Sequence, residues 1–205
     1  MPFIDRRDAA AKLAARLEKY RAVHPLILAI PRGAVPMGKV IAEELNGELD
    51  VVLVRKLGAP GQEEYAIGAV DETGNVYLNP ETRYTVEDPY VQQETERQLA
   101  LIRKRRKAYT PLRDPIDPKD RTVIVVDDGS ATGSTMLAAL HAVRAQRPKT
   151  LIAALGVAPP DTVKKLEEVA DDVVCLETHH LFFAVGQFFQ NFEQVSDTEV
   201  EECLR

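Results

Sequence analysis

Tryptophan is absent from the 205 residues of this chain, and cysteine occurs only twice, as Cys175 and Cys203. Two scattered cysteines exclude a disulfide framework and are typical of a reducing compartment, so the sequence predicts a cytoplasmic location. No apolar run reaches the roughly 18 residues that a membrane-spanning helix needs, and residues 1–8 lack the apolar core of a signal peptide. We therefore expect no membrane partner.

Positively charged residues are fewer than negatively charged ones. The chain has 26 lysines and arginines against 32 aspartates and glutamates, which gives a formal net charge of −6. This acidic balance argues against a nucleic-acid partner. Hydrophobic residues make up 45% of the chain, which is enough for one α/β domain with a sizeable core.

Strand-like apolar runs alternate with helix-like stretches along the chain. The pattern predicts strands at residues 26–30, 50–54, 66–70, 75–78, 122–126, 150–157 and 172–175. It predicts helices at residues 5–24, 35–45, 91–109, 132–145 and 160–169. Such alternation is typical of parallel sheets with helices on both faces. We therefore predict an α/β fold with a doubly wound, mainly parallel sheet of about five strands.

The most informative segment is the apolar strand at 123–126 and the polar loop after it. Two adjacent carboxylates, Asp127 and Asp128, follow the strand directly. A loop of small and hydroxyl-bearing residues then leads into a helix and consists of Gly129, Ser130, Ala131, Thr132, Gly133, Ser134 and Thr135. Backbone N–H groups at such a loop and helix N-terminus bind a phosphate, whereas carboxylates accept hydrogen bonds from sugar hydroxyls. The segment therefore predicts a site for a ribose 5-phosphate.

Residues 123–135 resemble the phosphoribosyl pyrophosphate (PRPP) signature of type I phosphoribosyltransferases. The resemblance implies transfer of the 5-phosphoribosyl group of PRPP to a nitrogen acceptor, a nucleobase, with release of pyrophosphate. It also implies Mg²⁺ as cofactor, a homodimer, and a role in nucleotide metabolism. Within one domain, 1–205, it implies a core at about 20–175, a hood formed mainly by 176–205 with the N-terminal helix, and an arm formed by the charged helix at 87–112.

Arg32 and Gly33 follow the strand predicted at 26–30. The arginine offers a fork of donors that matches phosphate oxygens, and the glycine permits close approach of the backbone to a ligand. The pair resembles the pyrophosphate loop of the family, in which a basic residue followed by glycine often forms a non-proline cis peptide. The resemblance therefore assigns both residues to pyrophosphate binding; a turn with a solvated arginine is the alternative.

Arg55 and Lys56 follow the strand predicted at 50–54. They resemble the start of the mobile catalytic loop of the family, which we predict at residues 58–65. The resemblance makes Lys56 the first candidate for a pyrophosphate contact and Arg55 the second. The alternative is a solvated basic surface loop.

None of these motifs contains a residue with the features of a covalent nucleophile. Catalysis would therefore rest on positioning and on stabilising the departing pyrophosphate. The predicted catalytic residues are Arg32, Lys56, Asp127 and Asp128. Because Mg²⁺ favours phosphate oxygens and one or two carboxylates, Asp127 and Asp128 are also its predicted ligands, directly or through water.

The acceptor is indicated by the resemblance alone. Where 6-oxopurine enzymes carry an aspartate that acts on the base, this chain has Ala131, which argues against hypoxanthine, guanine or xanthine. In a segment that resembles the base-stacking hood, Phe183 is the first stacking candidate and Phe188 the second; packing of these rings against the core is the alternative. Gln190 stands where those enzymes place a metal-associated aspartate, and Glu64 loosely matches a loop acid of adenine enzymes.

Two other functions stay open on the sequence. The first is a regulator that binds PRPP or a nucleotide without turnover. The basic stretch at 103–107 would then offer an RNA surface, although a solvated helix face, a subunit arm or a surface steering PRPP also explains it. The second is a sugar-phosphate hydrolase, which the lack of an activated nucleophile disfavours. Arg32 and Lys56 favour the transferase, because a pure sensor needs less pyrophosphate chemistry.

Overall fold

The computed structural model describes residues 2–78, 86–111 and 114–205, apart from the side chains of residues 63, 64 and 66. This part of the chain forms eight strands: β1 (Leu26–Ala29), β2 (Glu48–Val51), β3 (Val54–Ala59), β4 (Gln62–Asp71), β5 (Val76–Leu78), β6 (Thr122–Gly129), β7 (Thr150–Ala158) and β8 (Asp172–Thr178). It also forms six α-helices: α1 (Arg6–Leu17), α2 (Val35–Leu45), α3 (Asp88–Tyr109), α4 (Ser134–Ala145), α5 (Pro160–Glu167) and α6 (Asp197–Leu204). None of these helices is both long enough and apolar enough to cross a membrane within the described residues.

Five strands form a parallel sheet in the order β2-β1-β6-β7-β8. Successive side chains of β6 enter opposite cores: Ile124 and Val126 pack with α1 and α2, whereas Val123 and Val125 pack with α4. A strand that is covered on both faces is apolar at every position, which explains the continuous Val-Ile run. The predicted α/β fold with a doubly wound parallel sheet of about five strands is confirmed.

The remaining strands, β3, β4 and β5, form a separate antiparallel sheet. Here the prediction of a strand at 50–54 and a loop at 58–65 is wrong, because β2 ends at Val51 and β3 and β4 form a hairpin. Gly61 makes the tight turn of this hairpin with a φ of +71°, a conformation that favours glycine. Arg55 and Lys56 therefore lie inside a hairpin strand and not at the end of a core strand.

Helix α1 begins as predicted but ends earlier. Asp5 Oδ1 accepts a hydrogen bond from Asp8 N at 2.8 Å and caps the helix. After Leu17 the chain continues as a 3₁₀ turn, Glu18–Val23. Before the helix, Phe3 N donates to Phe188 O at 2.7 Å, so the N-terminal residues pack on the C-terminal segment.

The division of the chain into core, hood and arm stays a prediction. Residue 112 of the predicted arm lies outside the described residues.

The basic stretch at 103–107 lies in α3, and one of its members is turned inwards. Arg106 Nη1 lies 2.9 Å from Asp50 Oδ1, and its Nη2 lies 2.6 Å from Glu72 Oε1. Asp50 is 1% exposed and also accepts a hydrogen bond from Ile116 N at 2.9 Å. This ion-pair network holds α3 against the ends of β2 and β4. The other four members are exposed: Arg103, Lys104, Arg105 and Lys107.

Candidate functional site

The carboxyl ends of β1 and β6 lie side by side, and two of the polar motifs of the sequence, Arg32–Gly33 and the acidic pair, lie at these ends. The two strands are parallel neighbours, and Ile30 N donates to Val126 O at 3.0 Å just past the end of β1. The ladder between β6 and β7 continues to Gly129, so Asp127 and Asp128 lie within β6 and not after a strand that ends at residue 126. Two backbone ladders thus fix the acidic pair at the edge where ligands of open α/β sheets bind.

Asp128 is held by an arginine that the sequence analysis did not select. Arg6 Nε lies 2.8 Å from Asp128 Oδ2, and both side chains are largely buried. Gly33 touches the same carboxylate, since a Cβ at this glycine would lie 2.3 Å from Asp128 Oδ2. The structure therefore brings Gly33 and the acidic pair together, with Arg6 as a third member. The sequence signal for Arg6 is its place in the first turn of α1, where the helix dipole disfavours positive charge.

The adjacent carboxyl groups of Asp127 and Asp128 perturb each other. Burial and the neighbouring charge of Asp128 raise the pKa of Asp127 well above its ordinary value. Burial also raises the pKa of Asp128, although the hydrogen bond from Arg6 opposes that rise. Two crowded carboxyl groups favour a partner that donates hydrogen bonds or carries positive charge, such as sugar hydroxyls or a divalent cation.

Residues 129–135, called the hydroxyl loop below, are ordered by their own side chains. Ser130 Oγ accepts a hydrogen bond from Gly133 N at 3.0 Å, and the Thr132 and Ser134 hydroxyl oxygens lie 3.0 Å apart. Gly133 has a φ of +78°, a left-handed conformation that favours glycine. This conformation moves the start of α4 from the predicted Thr132 to Ser134.

The hydroxyl loop and the first turn of α4 present a surface suited to an anion. Ala131, Thr132 and Ser134 are exposed, and Thr135 is partly exposed in the first helical turn. The first N–H groups of a helix lack intrahelical acceptors, and the helix dipole adds positive potential there. Because hydroxyl and N–H donors are combined at this point, the loop is suited to a phosphate group.

Arg32 lies in the loop after β1, and the peptide bond that precedes it, Pro31–Arg32, is cis. Its Nη1 lies 3.6 Å from Asp197 Oδ2 of α6. Tyr109 of α3 donates to the other oxygen of Asp197 at 2.7 Å. Arg32 therefore pairs with a residue of α6, and a tyrosine of α3 contacts that same residue; the sequence analysis selected neither Asp197 nor Tyr109.

The hairpin carries Arg55 and Lys56 to different surroundings, because neighbouring residues of a strand point to opposite faces. Lys56 is exposed and lines a cavity of about 330 Å³ together with Thr132 and Ser134 of the hydroxyl loop. Arg55 is half-buried, and its Nε donates to Gln98 Oε1 of α3. The structure thus brings Lys56 to the hydroxyl loop and ties Arg55 to α3.

The two predicted stacking residues also differ in their surroundings. Phe183 is 87% exposed. Phe188 stacks on His179 with 4.7 Å between ring centroids, and its centroid lies 5.0 Å from that of Phe182. Phe188 therefore already belongs to an aromatic cluster of the C-terminal region, whereas Phe183 presents its ring to solvent. The Glu64 side chain, named as a loop acid, lies outside the described part of the chain.

Two carboxylates are the donor set that this edge offers a metal ion. Across residues 2–78, 86–111 and 114–205, no three His, Cys, Asp or Glu side chains come together as a potential metal site. Mg²⁺ is commonly bound by one or two protein carboxylates and completes its shell with phosphate oxygens and water. The crowded pair Asp127 and Asp128 fits that mode of binding.

Proteins of related sequence point to one family. Residues 5–188 match the family described as the phosphoribosyl transferase domain. A protein of Mycobacterium tuberculosis, named as a candidate phosphoribosyl transferase in strains CDC 1551 and H37Rv, is 42% identical over 204 residues. That match covers 98% of this chain but 46% of the other, so the chain spans about half the length of the curated relatives it matches.

Solved structures share the fold. The structure of TT1426 from Thermus thermophilus has a TM-score of 0.90 and 42% identity, and the match covers 100% of this chain and 98% of that one. A hypoxanthine-guanine phosphoribosyltransferase from Bacillus anthracis has a TM-score of 0.51 over 94% of each chain, at 14% identity, which shows a common fold alone. With its doubly wound sheet and the family match over most of its length, the chain belongs to the type I phosphoribosyltransferase family.

Proposed function

We propose that this phosphoribosyltransferase moves the 5-phosphoribosyl group of PRPP to a ring nitrogen of a nucleobase and releases pyrophosphate. The observation that carries the proposal is the meeting of three features at one sheet edge. These are the acidic pair at the end of β6, the hydroxyl loop at the start of α4, and Gly33 in contact with Asp128. Each feature suits one part of PRPP.

The 5′-phosphate is assigned to the hydroxyl loop, which combines hydroxyl groups with the N-terminus of a 12-residue helix. The ribose hydroxyls are assigned to Asp127 and Asp128. These carboxylates cannot serve the phosphate, because like charges repel, but they accept hydrogen bonds from hydroxyl donors. Since the acidic pair directly precedes the loop, ribose and 5′-phosphate would lie next to each other as they do in PRPP.

The pyrophosphate is assigned to Arg32 and Gly33, with Lys56 and Arg55 as further contacts. Gly33 supports this placement because it touches the acidic pair, and Lys56 supports it because it lies beside the hydroxyl loop. Arg55 has the weaker support, since Gln98 already accepts a hydrogen bond from it. When bound, Mg²⁺ would neutralise the pyrophosphate charge, and Asp127 and Asp128 would hold it together with the substrate oxygens.

In the proposed reaction the acceptor nitrogen bonds to C1 of the ribose. The bond between C1 and the pyrophosphate oxygen breaks, and its electron pair leaves with the pyrophosphate. Where the acceptor nitrogen carried a proton, that proton is released to solvent or to the pyrophosphate. No covalent intermediate on the protein is needed. The residues of the site would act by aligning the reactants and by stabilising negative charge on the leaving group, which are large effects in a preorganised site.

The acceptor would lie against the C-terminal region. Phe183 supports this assignment because its ring is exposed and free to stack on a flat base. Phe188 is the second candidate, since its ring is already engaged with His179. Ala131 offers no carboxylate to the base, which argues against a 6-oxopurine acceptor.

A cytoplasmic location is supported by the state of the cysteines. Cys175 and Cys203 are free thiols. Burial raises the pKa of Cys175 to about 11, so this thiol stays protonated and unreactive.

The homodimer and the role in nucleotide metabolism rest on the family resemblance. Light scattering tests the homodimer, and the identity of the acceptor tests the role in nucleotide metabolism.

A phosphorus NMR time course tests the proposal. The protein is incubated with PRPP, Mg²⁺ and a pool of purine, pyrimidine and pyridine bases. We expect pyrophosphate and a new nucleotide signal to grow only when bases are present, and splitting the pool then identifies the acceptor. PRPP signals that broaden without conversion would instead favour a regulator that binds without turnover. Unchanged spectra would contradict the assignment of the site to PRPP.

Replacing Gly33 with alanine is expected to weaken PRPP binding while the protein stays folded. The new Cβ would lie 2.3 Å from Asp128 Oδ2. Arg6 holds that oxygen, so the methyl group fits only if the carboxylate is displaced from the position in which it would bind ribose; the end of a side chain is displaced more readily than the backbone. Loss of one charged hydrogen bond corresponds to about tenfold to hundredfold weaker binding. Calorimetric titration with PRPP and Mg²⁺ measures the change, and an unaltered affinity in Gly33→Ala would contradict the expectation.

A further inference from the structure

Arg6 stands where its charge is locally unfavourable. It is the first residue of α1, and the N-terminal end of a helix carries partial positive charge. The cap of this helix is supplied by Asp5, so Arg6 is not needed there. A residue that is unfavourable for the helix in which it lies commonly makes a stabilising contact with another part of the fold.

The contacts of Arg6 join three distant segments. Its Nε lies 2.8 Å from Asp128 Oδ2, at the end of β6. Its Nη1 donates to Glu193 O at 2.6 Å, and its guanidinium carbon lies 3.9 Å from the centre of the Phe192 ring. Its Nη2 lies 3.2 Å from the place that a Cβ on Gly33 would take. With 14% of its side chain exposed, Arg6 is enclosed by these partners.

The planar fork of an arginine fixes direction as well as charge. One oxygen of Asp128 is bound by Arg6 and pressed against Gly33, so the carboxylate has little freedom to rotate. The position of Arg6 is set in turn by the Glu193 carbonyl and the Phe192 ring. Binding groups that are held by such a supporting layer lose less entropy when a ligand arrives.

We propose that Arg6 is a positioning residue, which orients Asp128 for the ribose of the substrate and links the acidic pair to residues 192–193 of the C-terminal segment. The inference rests on the proposed function, because it assigns Asp128 to the ribose hydroxyls. Arg6 acts through Asp128 and not through the 5′-phosphate. Its loss therefore weakens the binding of ligands that contain ribose more than the binding of phosphate alone.

The test compares Arg6→Met, Arg6→Lys and the wild type. Methionine keeps much of the apolar stem of arginine and removes the fork. Lys12→Met is the matched control, since Lys12 lies on the same helix, pairs with Asp8 and is 53% exposed. Each protein is titrated with ribose 5-phosphate and, separately, with inorganic phosphate, and amide NMR spectra report both the affinity and the integrity of the fold.

For Arg6→Met we expect about tenfold to hundredfold weaker binding of ribose 5-phosphate, the range that corresponds to one charged hydrogen bond. Binding of inorganic phosphate should change less than about twofold, since the site proposed for phosphate is the hydroxyl loop and Arg6 acts on Asp128. Arg6→Lys should recover part of the loss, because lysine restores the charge but not the fork. Lys12→Met should match the wild type for both ligands.

Equal affinity of wild type and Arg6→Met for ribose 5-phosphate would overturn the inference. A parallel loss for both ligands would also overturn it, because it would show a merely structural role. If Arg6→Met does not fold, Arg6→Lys carries the same comparison, and wild-type affinity in that variant overturns the inference. If the wild type binds PRPP but not ribose 5-phosphate, the assignment of Asp128 to the ribose is wrong. If it binds neither PRPP nor ribose 5-phosphate, the proposed function itself is wrong.

Discussion

The double variant Asp127→Asn, Asp128→Asn is expected to lose PRPP binding and transfer while it stays folded. The asparagine amides carry no charge for Mg²⁺ and offer weaker acceptors to the ribose hydroxyls. A hydrogen bond to a charged group contributes about 1.5–3 kcal/mol, so the loss of two such groups corresponds to about 10²- to 10⁴-fold weaker binding.

The fold should tolerate this change because the ionised pair is already unfavourable. The pKa of Asp127 is raised in the folded protein. A carboxyl group whose pKa is raised on folding makes the folded protein less stable once the pH rises past the pKa of that group in the unfolded chain. The reason is that the folded state resists ionisation of the group. A neutral asparagine removes that loss at neutral pH. At position 128 loss of the ion pair with Arg6 lowers the stability, but the amide oxygen still accepts a hydrogen bond from Arg6, so we expect a protein that is less stable yet folded.

Transfer assays and thermal unfolding of the same preparations measure both halves of this prediction. Asp161→Asn is the control, because the side chain of Asp161 on α5 is 90% exposed and is not assigned to any part of the substrate. That variant should transfer at the wild-type rate. Wild-type turnover in the double variant would contradict the assignment of the acidic pair.

A second large effect is expected from Arg106→Met, this time on stability. The change removes the Arg106 cation that faces Asp50 and Glu72, and it leaves the Asp50 carboxylate, which is 1% exposed, without that charge beside it. Removing one partner of a buried ion pair typically costs about 3–5 kcal/mol. For a chain of this size we expect a melting temperature lower by about 6–20 °C.

Urea unfolding at neutral pH measures this change as a free energy of unfolding. Arg103→Met is the matched control, since Arg103 lies on the same helix and is exposed. Its effect should stay within about 0.5 kcal/mol. Equal stability of the two variants would show that the inward position of Arg106 is not important for holding α3 on the core.

The parts of the fold that the sequence could predict are those encoded by neighbouring residues. The Val-Ile run at 123–126 predicts a strand buried on both faces, and burial of its side chains in two opposite cores agrees. The acidic pair and the hydroxyl loop are consecutive in the chain, so their binding chemistry can be predicted from one segment of the sequence. Even there, Gly133 shows a limit, because its left-handed φ shortens the predicted helix.

The contacts of the site and of the fold that the sequence could not predict join residues that lie far apart in the chain. Arg6 meets Asp128 across a separation of 122 positions, and no local pattern marks that pair. Arg106 looks like one more member of a solvated basic stretch until α3 docks and turns it towards Asp50. Likewise, Arg55 and Lys56 were placed at a strand end because local propensity does not distinguish a core strand from the hairpin that follows it.

A crystal structure of the protein with PRPP and Mg²⁺ bound is the most direct test of whether PRPP occupies the sheet edge formed by β1 and β6. We expect the 5′-phosphate within hydrogen-bond distance of residues 129–135 and the ribose hydroxyls on Asp127 and Asp128. The pyrophosphate should lie beside Arg32 and Gly33. PRPP bound elsewhere on the protein, with this sheet edge empty, would contradict the assignment of this edge to the substrate.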